Sequence, residues 1–143
     1  MYKIAACHGT KGFQEARDVM DRIYRENPGN WPYGIDPYGF DGGLYLIREK
    51  QAGTAVGFCG WQQRNELDGS EPVKVGYYSI GILPEHRRHG YAKQALSRLI
   101  TVKAAGVDRV RALIMASNGP SRALAQELGV KAVLKQASHL FLG

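Results

Sequence analysis

The chain has 143 residues, with 19 Lys and Arg against 13 Asp and Glu, a formal charge of +6, and 44% hydrophobic residues. That length suits one domain with a real core and is short for two. No apolar run approaches the roughly 18–20 residues that span a bilayer, and Met1 to Cys7 runs straight into polar residues without a signal-peptide core, so the expectation is a cytoplasmic protein with no membrane partner.

In chain order, Tyr2 to Cys7 reads as a short strand. From Thr10 or Lys11, the residues Phe13, Ala16, Val19, Met20, Ile23 and Tyr24 recur at helical spacing and form one apolar face. Asn27-Pro28-Gly29-Asn30 ends that helix. Trp31 to Gly43 mixes glycine, proline and aromatics without a period and reads as an ordered loop or short helical turns.

Leu44 to Arg48 and Thr54 to Gln62 are strand candidates joined by a turn at Lys50-Gln51-Ala52-Gly53. Asn65 to Pro72 is polar and reads as a longer turn. Val73 to Leu83 is β-branched and aromatic, with Gly76 and Gly81 suggesting a bulge or a close backbone approach. A helix is expected from about Gly90 to Ala105, a strand over Arg109 to Ala116, and a short helix from Asn118-Gly119-Pro120-Ser121 to Gly129. Lys131 to Lys135 and Ser138 to Leu142 close the chain as strands. This order of elements implies a mixed α/β or α+β single domain over 1–143.

Cys7 and Cys59 lie far apart and form neither C-x-x-C nor a metal-ligand spacing, so no metal site is expected. The basic balance suits a polyanionic partner, either nucleic acid or a phosphate-bearing cofactor. The cations are spread along the chain, and only His86-Arg87-Arg88-His89 is a tight cluster. It stands between a strand and the head of an amphipathic helix. A helix N-terminus exposes unpaired N–H groups and the positive end of the helix dipole, where phosphate binds well. Gly90 and Ala92 leave room for close approach, and Arg87 and Arg88 add charge. The stretch Arg87-Arg88-His89-Gly90-Tyr91-Ala92 is therefore a candidate pyrophosphate cradle.

These residues resemble the GNAT superfamily of acetyl-CoA-dependent N-acetyltransferases. Its cofactor motif, [RQ]-x-x-G-x-[GA] after a strand ending apolar-apolar-Pro, is similar to Ile82-Leu83-Pro84 followed by Arg87 to Ala92. A second family segment is similar to Asn118, Ser121 and Leu128-Gly129-Val130. The resemblance implies an α/β sheet of about six to seven strands, splayed open at the cofactor between the fourth and fifth strands and flanked by about four helices. It implies acetyl-CoA in the splay, with Ile80, Gly81, Ile82 and Leu83 along the pantetheine arm. Arg87, Arg88, His89, Gly90, Tyr91 and Ala92 would then lie at the pyrophosphate, with Asn118 and Ser121 on the other side. The implied reaction moves an acetyl group to a primary amine of a small-molecule or protein acceptor, in a monomer or homodimer.

The chain departs from the family where acid and base usually stand. The Tyr expected seven residues after the Asn is Ala125, and the two usual Glu positions are Gly76 and Leu113. Tyr78 is the substitute candidate, set against a plain core role, with Ser79 and His139 behind it. In the loop, Trp31, Tyr33 and Asp36, with Tyr38 and Phe40, would either grip the acceptor or form a small satellite core. Two other readings stand beside the enzyme: a degenerate domain that binds acyl-CoA without turnover, and, less favoured, a basic nucleic-acid-binding module.

Overall fold

The elements legible as periodicities recur in the computed structural model, which describes residues 2–6, 9–26, 28, 40 and 43–135. In chain order they are β1 (Tyr2–Ala6), α1 (Gly9–Glu26), β2 (Leu44–Glu49), β3 (Ala55–Asp68), β4 (Glu71–Ile82), α2 (Tyr91–Lys103), β5 (Arg109–Met115), α3 (Gly119–Leu128) and β6 (Lys131–Lys135). Short 3-10 turns lie at Pro84–His86 and Ala104–Gly106. The six strands form one sheet in sequential order. The pairs from β1 to β4 are antiparallel, and β4–β5 and β5–β6 are parallel. The described residues contain three α-helices where about four were expected. The expected strand at Ser138 to Leu142 lies outside the described residues, as does Cys7.

The two sheet faces carry separate apolar layers. Ala16, Val19, Met20 and Ile23 of α1 pack with Leu44, Leu46, Phe58 and Leu83. Ala95, Leu96 and Leu99 of α2 pack with Ile47, Val56, Trp61, Tyr78 and Ile82 on the other face. Strand alternation explains the split: Leu46 and Ile47 are neighbours in sequence and point to opposite faces.

Two sequence expectations are corrected. Asn65 to Pro72 is mostly strand: β3 and β4 continue to a tight turn at Gly69-Ser70, with Gly69 left-handed at φ +66°. The polar composition hid this because residues 65–72 at the hairpin tip are almost all exposed, so no buried face imposes an alternation there. Asp68-Gly69 was the available turn signal.

The bulge suggested by Gly76 and Gly81 is absent from the β3–β4 ladder, whose register runs unbroken from Gly57↔Ile82 to Asp68↔Glu71. The irregularity falls instead in the β2–β3 pairing, where Ile47 and Arg48 of β2 face Gly57 and Ala55 and leave Val56 of β3 as the extra residue. Both glycines answer to close approach. A Cβ at position 76 would overlap the Trp61 ring, and one at position 81 would stand 2.7 Å from Phe58 Cε1.

Trp61 is fully buried and its ring occupies the place of a side chain at position 76. Gly76→Ala therefore overpacks a filled site, and the expected loss of stability is roughly 2–3 kcal/mol. Urea unfolding of the two proteins measures it, and coincident midpoints would contradict the packing account.

Candidate active site

The parallel ladder between β4 and β5 consists of Val75↔Arg109, Gly76↔Val110, Tyr77↔Arg111 and Tyr78↔Ala112. Both strands continue beyond it, β4 to Ile82 and β5 to Met115. The sheet therefore opens after Tyr78 and Ala112. Leu83 N–H donates to Val56 O at 2.9 Å, in the same register as the β3–β4 ladder. Hydrogen-bonded pairs alternate along an antiparallel ladder, so Gly81 and Leu83 direct their backbone groups to β3. Tyr78, Ile80 and Ile82 turn theirs toward β5. Beyond Tyr78 that edge has no strand partner among the described pairs.

The chain next makes the 3-10 turn Pro84–His86 and enters α2 through two left-handed residues, Arg88 at φ +68° and Gly90 at φ +77°. Such a conformation is unfavourable for a residue with a Cβ, and Arg88 is the one non-glycine residue adopting it among those described. Gly90 is the N-cap of α2 and no side chain caps that helix, so its first amides remain available as donors. A Cβ at position 90 would meet only Gln94 Nε2, at 3.3 Å. The space over the glycine is open, and the donor set suits a phosphate.

The other assigned residues sort as follows. Arg88 and His89 are exposed, and Tyr91 and Ala92 are half-buried beside the α2-side core. The His89 and Tyr91 rings lie 5.7 Å apart. Arg87 is already committed: Nε donates to Ile82 O at 3.0 Å, and Nη1 and Nη2 donate to the two Glu26 carboxylate oxygens at 2.6 and 3.2 Å. Asn118 is the N-cap of α3, its Oδ1 accepting the Ser121 N–H at 3.3 Å. That contact gives both residues a structural duty in addition to any cofactor contact.

Tyr78 and Ser79 point to opposite faces by strand alternation. Tyr78 is 6% exposed, packs in the same cluster as Ala125, and its hydroxyl has no hydrogen-bond partner among the described residues. Burial pushes its pKa up to about 12. Ser79 is half-buried on the α1 side, opposite Gly60.

Leu113 is 40% exposed, and position 76 is filled by the Trp61 ring. Phe40 packs on Gly60 and lies 6.2 Å from Phe58, as a satellite-core residue would. Trp31, Tyr33, Asp36, Tyr38 and His139 lie outside the described residues.

Two clusters had not been read from the sequence. Tyr77 Oη donates to Glu66 Oε2 at 2.7 Å, Arg111 Nη1 donates to Glu66 Oε1 at 3.2 Å, and the Arg64 guanidinium lies 5.1 Å from the Tyr77 ring centre. The Tyr77 pKa is raised, by burial first and then by the Glu66 hydrogen bond. The second cluster joins Arg22 to Glu85 and Arg87 to Glu26. Locating the Asp68-Gly69 turn would have brought Glu66 and Tyr77 onto one face. Nothing in the spacing signals the second cluster.

The pattern of the acetyltransferase (GNAT) family matches residues 13–130. The chain belongs to that family. Membership makes it an N-acetyltransferase with acetyl-CoA as its acyl donor, and the open β4 edge beside an uncapped, glycine-headed helix fits that donor. A search of curated proteins gives no match.

Solved structures share the fold. An N-acetyltransferase from Staphylococcus aureus Mu50 is 22% identical, with a TM-score of 0.66 over 90% of this chain and 82% of that one. AAC(6')-Iy, in complex with the bisubstrate analog CoA-S-monomethyl-acetylneamine, is 18% identical, with a TM-score of 0.67 over 92% of this chain and 91% of that one. The putative acetyltransferase yncA from Salmonella typhimurium, with its cofactor acetyl-CoA, is 18% identical, with a TM-score of 0.66 over 90% of this chain and 79% of that one. No helix among the described residues is long and apolar enough to cross a membrane.

The Tyr78 hydroxyl generates a prediction of its own. A tyrosine whose folded pKa is raised contributes stability that is fully present below the unfolded value of 10 and is lost as pH rises toward 12. Tyr78→Phe removes that loss and an unpaired buried hydroxyl together. The variant is expected to match or slightly exceed the parent at pH 7, and to lead it by about 2 kcal/mol near pH 12. Urea midpoints across that range check this. A variant markedly weaker at pH 7 would show that the hydroxyl has a partner.

Proposed function

We propose that this GNAT domain, taken as residues 1–143, transfers the acetyl group of acetyl-CoA directly to a primary amine of its acceptor. The observation that carries this reading is the unpartnered β4 edge running straight into the left-handed, uncapped start of α2. Bound acetyl-CoA supplies an activated thioester.

The amides of Arg88 to Ala92 receive the pyrophosphate, and the open space at Gly90 admits it. Ile80 and Ile82 offer backbone groups to the pantetheine arm, as an added strand would use them. The Ile82 carbonyl is also held by Arg87, which leaves the Ile80 N–H and C=O and the Ile82 N–H on that edge. The Ile80 N–H is placed to polarise a carbonyl lying in the splay.

Tyr78 stands at the last position of β4 paired with β5, with a neutral hydroxyl that has no partner among the described residues. Tyr78 belongs to the apolar cluster that also holds Ala125, and in this reading β4 contributes the phenol that other members draw from the helix. Its pKa of about 12 lies well above the ~8.5 of a free thiol. Full proton transfer to the leaving sulfur would run uphill by about 5 kcal/mol. Tyr78 therefore acts by donating a hydrogen bond to the charge that develops there. The acceptor amine must arrive neutral, since ammonium has no lone pair, and water removes its proton after attack.

With no carboxylate at positions 76 and 113, proton removal from the amine rests on water, and acetyl-CoA consumption with a broad amine panel measures the rate this supports.

Gly90→Val both blocks the cradle and disfavours the left-handed backbone. CoA affinity should fall at least tenfold, about 1.4 kcal/mol, in a protein that still melts cooperatively. Undiminished calorimetric affinity would remove the pyrophosphate assignment.

Tyr78→Phe should lower acetyl transfer by roughly 10²-fold and leave CoA affinity nearly unchanged. A rate within threefold of the parent would exclude the hydroxyl from the reaction.

A further inference from the structure

Two ion pairs of opposite order join the last turns of α1 to the 84–87 turn. Arg22 Nη2 contacts Glu85 Oε1 at 2.8 Å, and Glu26 receives Arg87 through both carboxylate oxygens. Arg22 and Glu26 are four residues apart and share one helix face. The signs cross, so a shift that exchanged partners would set like charges together. Arg87 carries a third bond from Nε to Ile82 O, which ties the turn to the end of β4.

The residue fixed by these three bonds directly precedes Arg88, whose left-handed backbone is unfavourable for a side chain with a Cβ. Such a conformation persists only where its surroundings over-determine it. The pairs themselves are exposed, with the Arg87 and Glu26 side chains at 45% and 35% of full exposure, and exposed pairs contribute little to global stability. Their effect is therefore local.

We propose that Glu26 is a positioning residue for the cofactor cradle. Through Arg87 it fixes the turn from which Arg88 and Gly90 take their left-handed geometry, and so keeps the first amides of α2 ready for phosphate. Arg87 then serves by holding the loop, while Arg88 supplies the cradle's side-chain charge. The inference rests on the reading of Arg87 to Ala92 as the pyrophosphate site.

The experiment titrates CoA into the parent and Glu26→Gln by calorimetry, and follows melting and amide hydrogen exchange in the free proteins. The expected result is affinity about three- to tenfold weaker in the variant, with a melting temperature within about 2 °C of the parent. Faster exchange of the Arg88, His89 and Gly90 amides should accompany it, with the amides of α3 unaffected. Equal affinity, or unchanged exchange at those amides, overturns the proposal. So does a large fall in melting temperature alongside the affinity loss, since Glu26 would then support the fold as a whole. A parent that fails to bind CoA refutes the pyrophosphate reading itself. A parent that binds, beside a variant that binds equally, refutes only the role of Glu26.

Discussion

The β4–β5 ladder ends after four residue pairs, and the rest of the site depends on that ending. Backbone N–H and C=O groups require partners wherever water is excluded, and a strand that outruns its neighbour presents a row of them. β4 cannot close the gap by curling away, because its other edge stays bound to β3 as far as Ile82. The open edge is therefore held rigid from behind and faces a space that a linear ligand bearing amides can complete. The 3-10 turn at Pro84–His86 then carries the chain to α2, whose bare amides stand next along the same path.

Packing on the two faces limits what can stand around that gap. Trp61 fills the place of a side chain at position 76, so the space there is taken by an aromatic ring from β3 rather than by a polar group. Tyr78, directly opposite Trp61 in the ladder, is drawn into the same apolar layer. Burial there raises the pKa of its phenol, and the hydroxyl has no hydrogen-bond partner among the described residues. On the opposite face the polar groups gather further from the splay, where Glu66 ties β3, β4 and β5 together through Tyr77 and Arg111 below the point of opening.

The basic composition takes a different meaning once the cations are placed. Arg22, Arg48, Arg87, Arg109, Arg111 and Lys93 each sit in an ion pair. The exposed ones among them, Arg22–Glu85, Lys93–Glu127 and Arg109–Asp68, are screened and individually weak. The positions of the pairs tie elements together, α1 to the 84–87 turn and α2 to α3.

Local chemistry was enough to reveal much of this from the sequence. The apolar face of α1, the strand-turn-helix unit around Gly90 and the helix start at Asn118 to Ser121 depend on residues within a turn or two of each other, so spacing alone determines them. The tip of the β3–β4 hairpin escaped because residues 65–72 are almost all exposed, and without burial no alternation is imposed on them. The role of Gly76 waited on Trp61, and that of Arg87 waited on Glu26, 61 residues away. The end of the β4–β5 ladder is likewise a property of how two distant strands diverge, which no single segment encodes. The sequence by itself determined which segments could be strand, helix or anion cradle. Only the tertiary structure decided which backbone edge was left without a partner and which charges were already spoken for, because both depend on long-range packing.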